Sequence, residues 1–221
     1  MIDRPNEDEE GGTFSPVFDK HRSELTELIH EIHGRGWSPG TGGNFSQVLS
    51  REPLRLLVTP SGVDKGYVKP SELLEVDADG KVLVGDMPPS AETLLHIVIA
   101  QETNAGVILH THSIWNTLAS LSEKDGGYAI SHFEMLKGLQ GIRTHEHTEV
   151  IPVLQNSQEM NSLGEELRKI LRDESNPHGV LLKGHGLYTW GRDIFEARRH
   201  LEVLEFRSEE HTSELQSHSD L

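Results

Sequence analysis

The chain has no cysteine among its 221 residues. That absence excludes disulfides, thiolate zinc sites and a cysteine nucleophile, and it leaves any bound metal to nitrogen and oxygen ligands. Long apolar runs are missing too. No stretch approaches the roughly 20 apolar residues of a membrane span, and the acidic start Met1 to Glu10 lacks the basic and apolar regions of a signal peptide. The expectation is a cytoplasmic protein with no membrane partner. Positive charge is also short: 20 Lys and Arg stand against 36 Asp and Glu, for a formal net charge of −16. This argues against a sequence-independent nucleic-acid surface, because lysine and arginine must neutralise phosphates to supply that affinity. A small phosphorylated substrate remains compatible, since screening over about 8 Å lets donors inside a pocket outweigh distant surface carboxylates. The length suits one well-buried domain.

What the chain does have is histidine. His110 and His112 end the apolar run Ala105-Gly106-Val107-Ile108-Leu109, which reads as a buried strand. Residues two apart on a strand share a face, so both rings can reach one ion. A catalytic metal needs a third donor and an open position, and His185 in Leu182-Lys183-Gly184-His185-Gly186 is the best candidate, at the end of the buried run Gly179 to Leu182. The plain alternative is that alternate histidines decorate a solvated strand. His145 and His147, in Thr144-His145-Glu146-His147, have no apolar run leading in and read that way. His110 and His112 differ because a histidine ending a hydrophobic strand is costly unless its nitrogens are engaged.

Residues 1–16 read as an acidic disordered arm, 17–207 as one catalytic domain, and 208–221 as an unstructured polar tail that resembles appended, non-native sequence. Helices are expected from Asp19 to the glycines at 34 and 36, from Ala91 to about Thr103 with Ser90 as cap, near 157–173, and over 192–206 with a stop at Phe206. Strands are expected at 54–59, 107–112, 149–154, 179–184 and 187–190, and residues 40–47 read as loop. This mixed order predicts a three-layer α/β/α domain.

Two loops, Thr41-Gly42-Gly43-Asn44-Phe45-Ser46 and Thr59-Pro60-Ser61-Gly62, are rich in small donors and, with the helix start at Ser90, can surround an anion with N–H groups; any one of them alone is more often merely a turn. Lys65 and Lys69 follow the second loop, either adding charge to it or standing on the surface. Glu92 lies in a helix first turn, where the dipole favours a carboxylate anyway. His96, one turn later, reads as a fourth ligand or, more simply, a hydrogen-bonded core histidine. Glu134, between Phe133 and Met135, reads either as a partly desolvated carboxyl with a raised pKa suited to proton transfer or as a salt-bridged structural group.

Taken in order, Gly42-Gly43-Asn44-Phe45-Ser46, Thr59-Pro60-Ser61-Gly62, Ser90-Ala91-Glu92-Thr93, His110-Thr111-His112 and Gly184-His185-Gly186 resemble the class II aldolase/adducin family over residues 20–206. Within that span, Gly36 to Asn44, Ser61 to Gly66 and His132-Phe133-Glu134-Met135-Leu136-Lys137-Gly138 are similar to its dehydratase branch. The resemblance implies an α/β fold with a mixed, largely antiparallel sheet between helices. It implies one zinc per subunit on His110, His112 and His185, and a phosphate pocket of Asn44, Ser61, Gly62 and Ser90. It implies a tetramer with sites near subunit contacts. The implied activity is dehydration of 5-methylthioribulose 1-phosphate to 5-methylthio-2,3-dioxopentyl phosphate in methionine salvage, with zinc polarising the C2 carbonyl and Glu134 as acid/base. Two rivals stay open: a zinc-dependent sugar-phosphate aldolase using Glu92 as a secondary acid/base, and a non-catalytic adducin-like interaction domain, which needs no histidine set.

Overall fold

The computed structural model describes residues 16–122, 126–173 and 177–219. Nine strands form one sheet: β1 (Asn44–Arg51), β2 (Leu54–Val58), β3 (Leu74–Asp77), β4 (Val82–Val84), β5 (Val107–Thr111), β6 (Gly127–Ser131), β7 (Thr148–Leu154), β8 (Gly179–Leu182) and β9 (Gly186–Gly191). Their order is β4-β3-β2-β1-β5-β9-β8-β7-β6. Every neighbouring pair is antiparallel except β7 with β8. The helices are α1 (Pro16–Gly34), α2 (Thr93–Glu102), α3 (Ile114–Leu121), α4 (Met160–Arg172) and α5 (Ile194–Ser219).

Alternation along β5 builds the layers. Val107 and Leu109 join a core with Leu25, Ile29 and Ile32 of α1, Ala119 of α3 and Leu201 and Leu204 of α5. Ile108 faces the opposite way, into a core with Leu95 and Val98 of α2 and Leu163 and Leu167 of α4. The expected three-layer sandwich is therefore present, and a strand buried on both faces reads as the continuous apolar run seen in the sequence. His110 has the parity of Ile108 and enters the α2 layer; Thr111 turns the other way, its Oγ1 donating to Glu205 of α5 at 2.9 Å.

The sequence expectations fail at identifiable places. Residues 44–47, expected as loop, open β1 instead, and the polar Ser46 is engaged there with His96 at 2.7 Å. Helix α3 follows β5 unannounced: Ser113 caps it by accepting from the Asn116 N–H at 3.1 Å, yet its regularly spaced Ile114, Leu118 and Leu121 are exposed. Ser90 does not cap α2 directly; the helix starts at Thr93, and Ser90 Oγ accepts from the Glu92 N–H at 3.3 Å one turn earlier. Helix α5 runs on to Ser219, past the stop expected at Phe206. Neither glycine nor proline interrupts that segment, so apolar patterning ends while helical backbone continues. The arm expected over 1–16 lies outside the described residues apart from Pro16, the first residue of α1.

Candidate metal centre

Four side chains converge where β5, the β8–β9 turn and the start of α2 meet. Glu92, His110, His112 and His185 each offer a ligand atom, and these atoms lie within 4.8 Å of one another. His110 is fully buried, its ring stacked on Tyr188 with centroids 3.9 Å apart. Its Nδ1 donates to the Leu187 carbonyl at 3.0 Å, which leaves Nε2 as the lone-pair nitrogen facing the cluster. His112 Nε2 is 2.8 Å from His110 Nε2, and His185 Nε2 is 3.0 Å from His112 Nε2. Three ring nitrogens aimed at one point are a donor set for a cation.

The turn that carries His185 is shaped by its glycines and held by α3. Gly184 has φ +64°, a region that suits glycine, and its N–H donates to Ser120 Oγ at 2.8 Å. Thr117 Oγ1 donates to the His185 carbonyl at 2.8 Å. At Gly186 a Cβ would collide with the Thr111 carbonyl oxygen, so only glycine lets β9 lie this close to β5 beside the histidines.

The carboxylate of Glu92 closes the set. Its Oε1 lies 3.3 Å from His185 Nε2 and 3.7 Å from His110 Nε2, while Oε2 accepts a short hydrogen bond from Asn44 Nδ2. Burial raises the Glu92 pKa, against the pull of His185, Asn44 and Lys65. Burial also holds His112 down at about 4 and His110 well below the usual imidazole range. Neutral imidazoles and one carboxylate are the states a divalent ion binds.

Of the anion-pocket residues, Asn44 meets Glu92 directly. Ser61 is brought beside the Ser90 loop by its N–H bond to the Pro88 carbonyl at 3.0 Å and by a bridge between Pro60 and Pro89. Gly62 has φ +73° and is exposed at the same turn. Lys69 is on the surface, whereas Lys65, left open by the sequence, is buried. His96 is not a ligand here: it is fully buried and bonded to Ser46, with burial pulling its pKa down to about 3. His145 is exposed, and His147 bonds Glu149 at 2.9 Å, outside the cluster.

Glu134 departs from the partly desolvated carboxyl expected. It stands on a 3-10 turn, Glu134–Gly138, with 72% of its side chain exposed and Lys137 paired to it. The Lys137 hydrogen bond holds its pKa below the usual carboxylate value, the opposite of the raised value expected. The flanking Phe133 and Met135 do not enclose it, because Met135 is itself 41% exposed.

Histidines buried in the neutral state make a pH prediction. His96 titrates at about 3 and His200 at about 4 when folded, below the ordinary 6.5, so between those limits the unfolded chain binds more protons and stability rises with pH. The metal-free protein should therefore lose stability on acidification from pH 7 to 5, by on the order of 2 kcal/mol for His96 alone. A melting temperature that rises over that interval would contradict the buried neutral state. His178, raised by Glu149 despite burial, acts in the opposite sense only where pH exceeds 6.5.

A sandwich of this topology thus carries three converging imidazoles and a carboxylate, a donor set suited to a divalent metal ion. The chain belongs to the Class II Aldolase and Adducin N-terminal domain family, which it matches over residues 23–212. It is 42% identical over 184 residues to the methylthioribulose-1-phosphate dehydratase of Stenotrophomonas maltophilia strain K279a, covering 82% of this chain and 85% of that one. Among solved structures it superposes on YgbL from Escherichia coli, a putative aldolase/epimerase/decarboxylase, with TM-score 0.75 and 26% identity, covering 87% of this chain and 88% of that one. An L-fuculose 1-phosphate aldolase, at TM-score 0.74 and 21% identity over 93% of this chain and 90% of that one, shares the fold.

Proposed function

We propose that this chain is a zinc-dependent hydro-lyase that dehydrates 5-methylthioribulose 1-phosphate to 5-methylthio-2,3-dioxopentyl phosphate in methionine salvage. The observation that carries the reading is the convergent His110, His112, His185 and Glu92 set, found in a chain 42% identical to a dehydratase of that name. Those four residues would hold the ion, and imidazole nitrogen with carboxylate oxygen and no thiolate suits zinc. When bound, the ion supplies Lewis acidity at the ketose carbonyl.

The remaining chemistry belongs to side chains. Dehydration takes a proton from C3 and expels the C4 hydroxyl as water; the resulting enol then becomes the diketone. Glu92 has both oxygens committed, one toward the histidines and one to Asn44. Glu134, ionised beside Lys137 and at the position that the resemblance to the dehydratase branch assigns to the acid/base, would accept the C3 proton and return it to the departing hydroxyl. Among the described residues His132 is the non-glycine residue with positive φ, at 63°, two positions before Glu134. Local strain of about 1–3 kcal/mol is retained where surroundings impose it, and such outliers cluster at functional sites. Asn44, Ser61, Gly62 and Ser90 would take the phosphate. Ser90→Asp should then raise KM about tenfold or more with metal content unchanged, as like charges meet in the pocket; unaltered saturation kinetics would remove Ser90 from it.

A homotetramer fits the exposed apolar face Ile114, Leu118 and Leu121 on α3, the helix that clamps the His185 turn. A phosphorylated metabolite as substrate fits the cytoplasm. The aldolase reading keeps one specific support, the burial and raised pKa of Glu92. Zinc titration of metal-free protein tests the proposal: turnover of methylthioribulose 1-phosphate should climb to one equivalent per chain and stop. Full turnover in chelator-treated protein would refute it.

A further inference from the structure

Lys65 is 1% exposed. Lysine is almost never so buried unless an acidic partner accompanies it. Among the described residues no carboxylate is within ion-pair distance of its Nζ, which instead donates to the Thr41 carbonyl at 2.9 Å and the Val63 carbonyl at 3.0 Å. An ammonium has three N–H donors, so one remains after these two. The two carbonyls belong to different loops. Thr41 leads into Gly42-Gly43-Asn44, and Val63 follows Ser61-Gly62. One buried cation thus ties together the two glycine loops that flank the anion pocket, and its charge acts on both Glu92 and His112.

Glu92 and Asp64 act on this ammonium through space without pairing with it directly. The Glu92 oxygens are engaged by Asn44 and the histidine cluster, and Asp64 Oδ1 accepts from the Gly66 N–H at 2.9 Å. We propose that Lys65 is a positioning residue for the substrate's phosphate: it sets the separation of the Thr41 and Val63 loops and places beside their N–H groups a positive charge that no direct ion pair ties up. This rests on the phosphate-pocket reading above. Burial lowers the ammonium to about 8, which leaves it mostly charged at neutral pH. A lysine acts on phosphate as a point charge, so arginine at the same place should preserve part of the effect and an apolar side chain none.

The test uses inorganic phosphate as a competitive inhibitor alongside kinetics on the zinc-loaded protein. Lys65→Met should raise the phosphate inhibition constant and KM by about tenfold or more while kcat stays within about threefold, and Lys65→Arg should stay within about threefold of the parent in phosphate affinity. Unchanged phosphate affinity in Lys65→Met, or an arginine variant as weak as the methionine one, would overturn the proposal, because packing alone would then explain the residue. Should Lys65→Met fail to fold, ¹⁵N-lysine labelling of the parent decides: phosphate should shift the Lys65 Nζ resonance, assigned by its loss in Lys65→Arg, and an unmoved resonance at saturation refutes the idea. Phosphate binding is read without turnover. A protein that binds phosphate through Lys65 yet leaves methylthioribulose 1-phosphate intact would sink the hydro-lyase reading and spare this one.

Discussion

Replacing His110, His112 or His185 singly by alanine should strip the metal and abolish turnover together. Structural zinc sites of four donors are worth roughly 10–16 kcal/mol, so one donor carries about 3 kcal/mol, or on the order of 10²-fold in affinity. Turnover should fall further than affinity, since the remaining ligands no longer fix the ion against the carbonyl. The His110 variant should be worst: its ring also fills the stack on Tyr188 and engages the Leu187 carbonyl, so alanine leaves a cavity inside the α2 layer. His185, on a turn and only partly buried, should lose metal with little loss of fold. Stoichiometric metal in all three chelator-washed variants, measured by atomic emission, would dismiss the site.

The second large effect separates the two carboxylates. Glu134→Gln keeps shape and removes proton transfer, so kcat should drop by on the order of 10² or more while zinc stays bound, because the residue is outside the cluster. Glu92→Gln should behave differently. It removes an anionic donor beside the histidines and disturbs Asn44, so weaker metal binding should accompany a smaller loss of dehydration at saturating zinc. The reverse pattern, with Glu92→Gln dead and Glu134→Gln near normal, would move acid/base work to Glu92 and favour carbon–carbon cleavage.

The centre was legible where burial and periodicity agreed. An apolar strand ending in His-Thr-His predicts both burial and a shared face, and β5 bears that out, with His110 and His112 in one cluster. His185 was legible through its glycines, whose necessity the structure explains by the approach of Gly186 to Thr111. Glu92 carries no such signal, because the helix dipole accounts for a carboxylate in a first turn without any ligand. What reveals it is a contact with Asn44, across a sequence separation that no local pattern encodes. Lys65 was hidden similarly, since nothing in Ser61-Gly62-Val63-Asp64-Lys65 marks a lysine as buried. Glu134 misled in the other direction. Apolar neighbours in sequence enclose a side chain only within regular structure, and a 3-10 turn turns both Glu134 and Met135 outward.

Mass measurement of the product tests the central claim most directly. Zinc-loaded protein incubated with methylthioribulose 1-phosphate should yield a single phosphorylated product lighter than the substrate by one water, and none when a chelator is present. Two fragments from cleavage of the C3–C4 bond, or unconsumed substrate with metal bound in full, would contradict it.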